Sequence, residues 1–271
     1  MPEGHTLHRL AKLHQQRFAG GVVRVSSPQG RFADGAALVD GATLTKAEAW
    51  GKHLLHHYDS GLVVHVHLGL YGTFTESPAP LSDPVGQVRM RMIGAGKSAT
   101  TLYGTDLRGP TACEVLHGPE VDVLTARLGP DPLRRDADPD RAAQRIRRSN
   151  RSIAALLMDQ SVVAGVGNVY RAEVLFRHGM SPQRPGRAIT AGEWEALWAD
   201  LVALMKVGVR RGAIVVVRPE HDRGAPSYAA GKPRTYVYRR AGEPCRICGT
   251  TVAHAVLEGR NLFWCPTCQP D

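Results

Sequence analysis

The sequence predicts an α+β protein: a leading helix on a β-sandwich or barrel, then a mainly helical stretch, then a small cysteine-held hairpin. Three observations carry this. Residues 22 to about 125 break into short alternating runs divided by turn residues, the pattern of sandwiches and barrels. From 138 to 207 the apolar positions fall at helical spacing. Near the end, Cys245-x2-Cys248 and Cys265-x2-Cys268 stand 16 residues apart, a spacing for tetrahedral zinc.

The elements follow in order. Residues 3–18 place Leu7, Leu10, Ala11, Leu13, His14 and Phe18 near helical spacing, and Gly20-Gly21 stops that helix. Val22–Val25 and Leu44–Trp50 read as strands. His53–Tyr58 and Leu62–His67 flank Asp59-Ser60-Gly61, a hairpin signature. Val88–Ile93 and Ala99–Tyr103 read as a second hairpin across Gly94–Gly96. The proline-, aspartate- and arginine-rich stretch 129–151 marks the domain boundary. Beyond it the helical candidates are 138–148, 152–160, 169–178 and 191–207. A strand-like run at 213–218 leads into a polar loop at 219–233, and Thr235–Arg239 enters the cysteine module.

Composition narrows the function. Net charge is +9 and the pI is about 9.6, which points to a polyanionic partner. Arg makes up 28 of the 34 basic residues and suits bidentate phosphate contact. No run approaches 18 apolar residues and no charged-then-apolar leader is present, so a soluble, cytoplasmic protein is expected. In a reducing compartment the four paired cysteines hold one Zn2+ and form no disulfides. Cys113 stands alone and reads as a small buried hydrophobe.

The opening Met1-Pro2-Glu3-Gly4 is where chemistry is expected. Pro after the initiator makes a good substrate for Met removal, which frees a secondary amine on Pro2. An α-amino group has a pKa of about 7.7–8.0, so much of it is neutral and nucleophilic near pH 7. Amines form Schiff bases with the carbonyl form of sugars. A secondary amine gives a permanently charged iminium, a stronger electron sink. Glu3 is close enough to move protons during that attack. The alternative is a frayed terminus, against which the helix starting at 3 provides an anchor.

Four further stretches carry two readings each. Gly165-Val-Gly167-Asn168 between helices is either a plain turn or a phosphate cradle, with Asn168 capping the next helix and donating to a phosphate. Arg260, at the tip of the hairpin 252–264, is either solvated or held out to a phosphate. Lys52 beside Gly51 is either a surface lysine or a partner for phosphate or developing sugar charge. His67-Leu-Gly-Leu70-Tyr71-Gly72 puts large apolar side chains between glycines, as core or as a wedge for opened duplex. Histidines 53, 56, 57, 65 and 67 lack carboxylate or cysteine companions in the pattern and read as neutral strand residues, not a metal site.

Taken together and in this order, these pieces resemble the formamidopyrimidine-DNA glycosylase and endonuclease VIII family of base-excision repair enzymes. The resemblance spans essentially the whole chain. It rests on Met-Pro-Glu-Gly, Gly51-Lys52, His67-Leu-Gly-Leu-Tyr-Gly72, Gly165-Val-Gly-Asn-Val-Tyr170 and the Arg260…Cys-x2-Cys-Gln269 ending. The opening and the 67–72 stretch resemble the endonuclease VIII branch, in particular its actinobacterial members. The resemblance implies a catalytic β-sandwich domain (1–128), a helix–two-turn–helix domain (129–233) and a zinc finger (234–271), with DNA between the two halves. It implies Pro2 as the Schiff-base nucleophile at C1′, Glu3 as the proton donor that opens the sugar ring, and Lys52 as a catalytic or phosphate-contacting residue. His67, Asn168 and Arg260 contact DNA on this reading, the latter two gripping phosphates beside the lesion. Leu70 and Tyr71 fill the gap left by the flipped base, and Arg108 faces the orphaned one. Two positions depart from better-known members: Thr6 stands where they carry a second acidic residue, and Gly69 where the better-known endonuclease VIII carries Gln. Both bear on base recognition, not on the nucleophile.

The expected function is therefore a bifunctional DNA glycosylase and abasic-site lyase. It removes oxidised bases, pyrimidines before purines, and cuts by β,δ-elimination. Its partner is double-stranded DNA with damaged bases or abasic sites. A monomer suits a protein that scans DNA, in a nucleoid-associated location. A zinc protein that binds distorted DNA without cutting it is the alternative, and an RNA-binding zinc ribbon a third.

Overall fold

A computed structural model of the chain describes residues 2–97, 101–222 and 234–271. Its contacts divide the chain into two units, Met1–Arg127 and Leu128–Asp271.

The first unit begins with helix α1 (Gly4–Phe18), whose Leu7, Ala11, His14 and Phe18 are buried. Next come β1 (Gly21–Ser26), α2 (Ala33–Val39), β2 (Thr43–Trp50), β3 (His53–Tyr58), β4 (Val63–His67) and β5 (Thr73–Pro78). The unit continues with β6 (Val88–Gly94), β7 (Tyr103–Arg108), β8 (Ala112–Leu116) and α3 (Gly118–Ala126). The strands run antiparallel in the order β5-β7-β6-β1-β2-β3-β4-β8. β1 serves two leaves, pairing with β2 at Gly21 and Val22 and with β6 from Val23 to Ser26. The two leaves form the expected β-sandwich. Its core gathers Val23, Leu54, Val64, Val66, Met90, Met92 and Leu107, closed by Leu7 and Phe18 of α1.

The β3–β4 hairpin turns over Asp59–Gly61 as expected, with His53 opposite His67. The second hairpin differs. β6 pairs with Tyr103–Arg108, Gly94 facing Tyr103 and Met90 facing Leu107. The strand expected at 99–103 thus contributes only its last residue, and 99–100 lie outside the described residues. The buried apolar residue that fixes the register is Leu107, not Leu102, which is exposed.

The second unit holds α4 (Pro139–Arg147), α5 (Ile153–Met158), α6 (Asn168–Arg177) and α7 (Ala191–Arg211), then the hairpin β9 (Ala253–Leu257) and β10 (Arg260–Trp264). Three of these helices start on a side-chain cap. Asp138 caps α4 and Ser152 caps α5. Thr190 and Glu193 form a capping box on α7, which ends at left-handed Gly212. The helices bury Ile146, Leu157, Leu175, Leu197 and Leu201 in one core, joined by Val163 from the loop before α6. The boundary stretch is not a loose linker: residues 128–132 are buried, and Gly129 donates to the Gln160 carbonyl. The run at 213–218 is not a strand. Among the described residues it pairs with no strand; Val216 is buried in the helical core and its carbonyl accepts from Arg177. The polar loop expected to follow it lies outside the described residues from 223 onward. Among the described residues, no helix is long and apolar enough to cross a membrane.

Candidate functional site

In the first unit the candidate residues lie at the start of α1 and around the ends of β2, β3, β4 and β7. Pro2 is half-buried and Glu3 is fully buried at the N-cap of α1. The Thr6 amide donates to the Glu3 carbonyl at 2.8 Å, so Glu3 is tied to the first turn of the helix. His5 is buried just beyond. Its pKa is pulled down to about 4, first by burial, then by the positive amino terminus and His8.

Lys52 lies in the two-residue turn joining β2 and β3, where Trp50 pairs with His53. Gly51 takes φ +57° there, the positive value a II′ turn needs at its first position. His67 ends β4. Its Nδ1 accepts from the Gly69 amide at 3.1 Å, which leaves Nε2 as the protonated, donating nitrogen of the neutral ring. Burial, then His65 and Lys52, hold the His67 pKa below its ordinary value. The turn after it is tight: Gly69 takes φ +65°, and the Gly72 amide donates to the Leu68 carbonyl at 2.9 Å. Leu68 points into the core, whereas Leu70 is 43% and Tyr71 87% exposed. The two candidate side chains are therefore not core.

Arg108, at the end of β7, is engaged within the sandwich. It donates to Asp106 at 3.1 Å, to the Thr75 hydroxyl at 2.7 Å and to the Val85 carbonyl at 3.2 Å. Asp106 also takes both Nε and Nη2 of Arg91, and the two arginines hold its carboxyl below the usual range against the opposing pull of burial. Cys113 is half-buried on β8, and burial pushes its thiol up to about 12, in keeping with an inert small hydrophobe.

In the second unit the loop before α6 and the tip of the β9–β10 hairpin are tied together. Gln160 organises the loop, accepting from the Gly165 amide at 3.0 Å and donating to the Met158 and Val166 carbonyls. Gly165 takes φ +87°. The cap of α6 is Gly167, not Asn168. Asn168 begins the helix, buried, and its amide donates across the unit to the Asn261 carbonyl at 2.9 Å. Buried Arg171 donates to the same carbonyl at 2.8 Å and to the Asn168 side chain. A long-range partner has thus drawn the amide away from the capping position. Arg260 stands beside this clamp at the start of β10, exposed and with no side-chain partner among the described residues. Its turn is rigid: Glu258 and Gly259 take φ +46° and +72°, as a I′ turn requires. Arg151 fastens it further, donating to Glu258 at 3.0 Å and to Asp159 at 2.8 Å.

The four cysteine sulfurs lie within 4.8 Å of one another. Cys245 Sγ is 3.9 Å from Cys268 Sγ, and Cys248 Sγ is 3.4 Å from Cys265 Sγ. A tetrahedron of thiolates about 2.3 Å from one ion has edges of about 3.8 Å, so the donor set fits a structural metal. Backbone amides of Ile247 and Cys268 point at the Cys245 and Cys265 sulfurs. Buried Gln269 fixes the module to the helical body, accepting from the Cys265 amide and donating to the Met180 carbonyl. Among the described residues this is the one grouping of metal-ligand type; the strand histidines form none.

Sequence reasoning missed Arg151, Gln160, Arg171 and the buried Glu173. Each acts on a partner far along the chain or inside a loop, and no local spacing signals that.

Comparison with known proteins fits this arrangement. Residues 1–113 match the formamidopyrimidine-DNA glycosylase N-terminal domain, 128–219 the formamidopyrimidine-DNA glycosylase H2TH domain, and 242–270 the zinc finger found in FPG and IleRS. The chain is 66% identical to Endonuclease 8 1 of Mycobacterium tuberculosis, over 99% of this chain and 100% of that one. It is 33% identical to the formamidopyrimidine-DNA glycosylase of Geobacillus kaustophilus, over 86% and 84%. The crystal structure of MutM (Fpg) from Thermus thermophilus superposes with TM-score 0.73 at 28% identity, covering 100% of this chain and 99% of that one. The Lactococcus lactis Fpg, solved with DNA containing an abasic site, shares the fold with TM-score 0.77 at 20% identity, covering 99% and 100%.

Proposed function

The chain belongs to the formamidopyrimidine-DNA glycosylase and endonuclease VIII family, a family of DNA glycosylases and abasic-site lyases, and from that premise we propose how its own residues run the reaction. Met1 is removed and the Pro2 amine attacks C1′ of the damaged nucleotide. Glu3 protonates the sugar oxygen as the ring opens. The base leaves and a Pro2 iminium remains. The C2′ proton becomes acidic, and the flanking phosphates leave in turn by β- and δ-elimination. Lys52 and His67 hold phosphate or developing sugar charge. Asn168 and Arg260 meet the phosphates flanking the lesion. Leu70 and Tyr71 fill the stack where the base was, and Arg108 faces the partner base. Oxidised pyrimidines are the preferred class. The protein works as a monomer on damaged duplex DNA, using residues 1–128 for catalysis and 129–233 with 234–271 for grip.

The four cysteines would hold one Zn2+, which supplies structure: it joins the two knuckles that carry the hairpin and Arg260. No chemical step passes through it.

The observation that carries this reading is the state of the terminus. Glu3, fully buried, is the cap residue of a packed helix that begins at Gly4, and half-buried Pro2 directly precedes it, which supports an amine held close to the fold. Borohydride added during reaction with abasic DNA tests it. A covalent complex is expected, mapping to Pro2 by mass spectrometry. A nicking enzyme that retains Met1, or a complex trapped through a lysine, refutes the nucleophile. Binding without any trapped complex favours a damage-binding protein that does not cut.

A further inference from the structure

Three histidine and carboxylate side chains on adjacent strands form a hydrogen-bonded line that the reaction above does not use. His65 of β4 is buried. Its Nδ1 is 2.9 Å from Oε1 of Glu114 on β8, and its Nε2 is 2.9 Å from Nδ1 of His53 on β3. The chemistry of the donors sets the protons. Glu114, 54% exposed in its side chain, accepts when ionised, so His65 carries its proton on Nδ1. His65 Nε2 is then a lone pair, and His53 donates to it from Nδ1. That leaves Nε2 of His53 as a lone pair at the inner end of the line. His53 follows Lys52 directly in the chain and sits across the strand pair from His67, ring centroids 5.0 Å apart. The line thus runs from the Lys52–His67 edge to solvent at Glu114.

We propose that Glu114, His65 and His53 form a proton relay between that edge and bulk water. It rests on the lyase reading given above. A proton arriving at Nε2 of His53 is matched by transfer of its Nδ1 proton to Nε2 of His65. The Nδ1 proton of His65 passes to the Glu114 carboxylate and on to water. One proton enters, one leaves, and both rings end in their other tautomer. The reverse shift carries a proton inward and restores them. Base departure consumes a proton and C2′ deprotonation releases one, so the two directions alternate within a turnover.

The surroundings suit transfer over storage. His53 is held uncharged, its pKa down to about 3, by burial first and then by His65, His67, Arg127 and Lys52. A proton placed there does not stay. The titratable and charged groups around the line are His67 on β4, Lys52 in the turn before β3, and Arg127 after α3; Cys113 pairs with Val66 and lies on the other face of the sheet. His65 and Glu114 are positioning and relay residues; neither is assigned contact with DNA.

Glu114→Gln separates relay from architecture, because the Gln oxygen still accepts from His65 Nδ1 but its amide takes up no proton. With the full-length protein on abasic duplex, single-turnover cleavage is expected to slow about tenfold, with Kd for the DNA unchanged. Added imidazole buffer is expected to restore the rate in a concentration-dependent way, and Glu114→Asp to restore it without buffer. A merely structural carboxylate gives no buffer rescue. His65→Leu, checked for folding by its melting curve, should show the same buffer dependence. Wild-type rate in Glu114→Gln, or slow cleavage that no buffer relieves, overturns the relay. Failure of the wild-type protein to cleave abasic DNA overturns the lyase reading instead.

Discussion

Glu173 is the most informative single residue for the second unit. It is fully buried on α6, and its carboxylate accepts three backbone amides in succession, from Tyr236 at 2.6 Å, Val237 at 3.0 Å and Tyr238 at 2.8 Å. These residues lead into the cysteine module, so one side chain docks the module's entry on the helix. Burial pushes the Glu173 pKa up, while the three amides and Arg240 pull it back. Glu173→Gln decides which effect wins. Gln offers one acceptor oxygen, enough for Val237 and Tyr238, and turns an NH2 towards the Tyr236 amide. An unsatisfied buried N–H costs about 1–3 kcal/mol, and reducing two charge-assisted bonds to neutral ones costs about 1 kcal/mol each. Relief of burying a charge offsets part of this. The net loss is about 2–4 kcal/mol. For a unit of this size that lowers the melting midpoint by roughly 5–12 °C. Near-UV circular dichroism with zinc in excess reads it, because Tyr236, Tyr238 and Phe263 pack around the module. Glu173→Leu, which strands all three amides, should be worse than Gln. A Gln variant as stable as the parent would mean that charge burial outweighs the three bonds, and the reasoning fails.

Acid should weaken the first unit through His56. This ring is fully buried, Nε2 2.9 Å from His14 Nδ1, while His14 Nε2 bonds Glu76 at 3.0 Å. Burial, then His14 and His57, hold its pKa well below 6.5. The unfolded chain therefore takes the proton first. The stability is fully present above about pH 6.5 and is lost as pH falls, by up to about 1.4 kcal/mol per pH unit. Melting midpoints at pH 7 and pH 5 measure the slope, to which His5 and His53 also contribute, and His56→Phe should reduce it by its share; an unchanged slope refutes the assignment. Leu70→Ala combined with Tyr71→Ala removes exposed side chains, so the melting midpoint should move by no more than about 0.5 kcal/mol equivalent. Cleavage of a lesion-bearing duplex should drop about 10- to 100-fold, since flipping costs a few kcal/mol that the wedge offsets. An abasic single strand, which needs no wedge, should be cut normally; equal loss on both substrates would sink the wedge role.

The elements legible in the sequence were those whose signal is local. Asp59-Ser60-Gly61 announces the β3–β4 turn, apolar positions at helical spacing announce α4, α5 and α7, and two cysteine pairs announce the metal module. What escaped has no such signal. α3 buries none of its residues, so apolar periodicity is silent there and only the Glu120 cap at His117 marks it. β5 is an edge strand with Phe74 as its one half-buried apolar anchor, and alternation along Thr73–Pro78 is correspondingly faint. Asn168 shows the limit for the site. Locally, an Asn after glycines at a helix start is a cap; the decisive partner is a carbonyl 93 residues away. The Asn261 carbonyl has two lone pairs, and it takes donors from both Asn168 and Arg171. The clamp therefore fixes the first residue of α6 against the residue next to Arg260. If Asn168 meets a phosphate, it does so as the hinge pin of this clamp, through a side chain already committed to it. Changing it should disturb the placing of Arg260 as well as its own contact, and the two losses should not add.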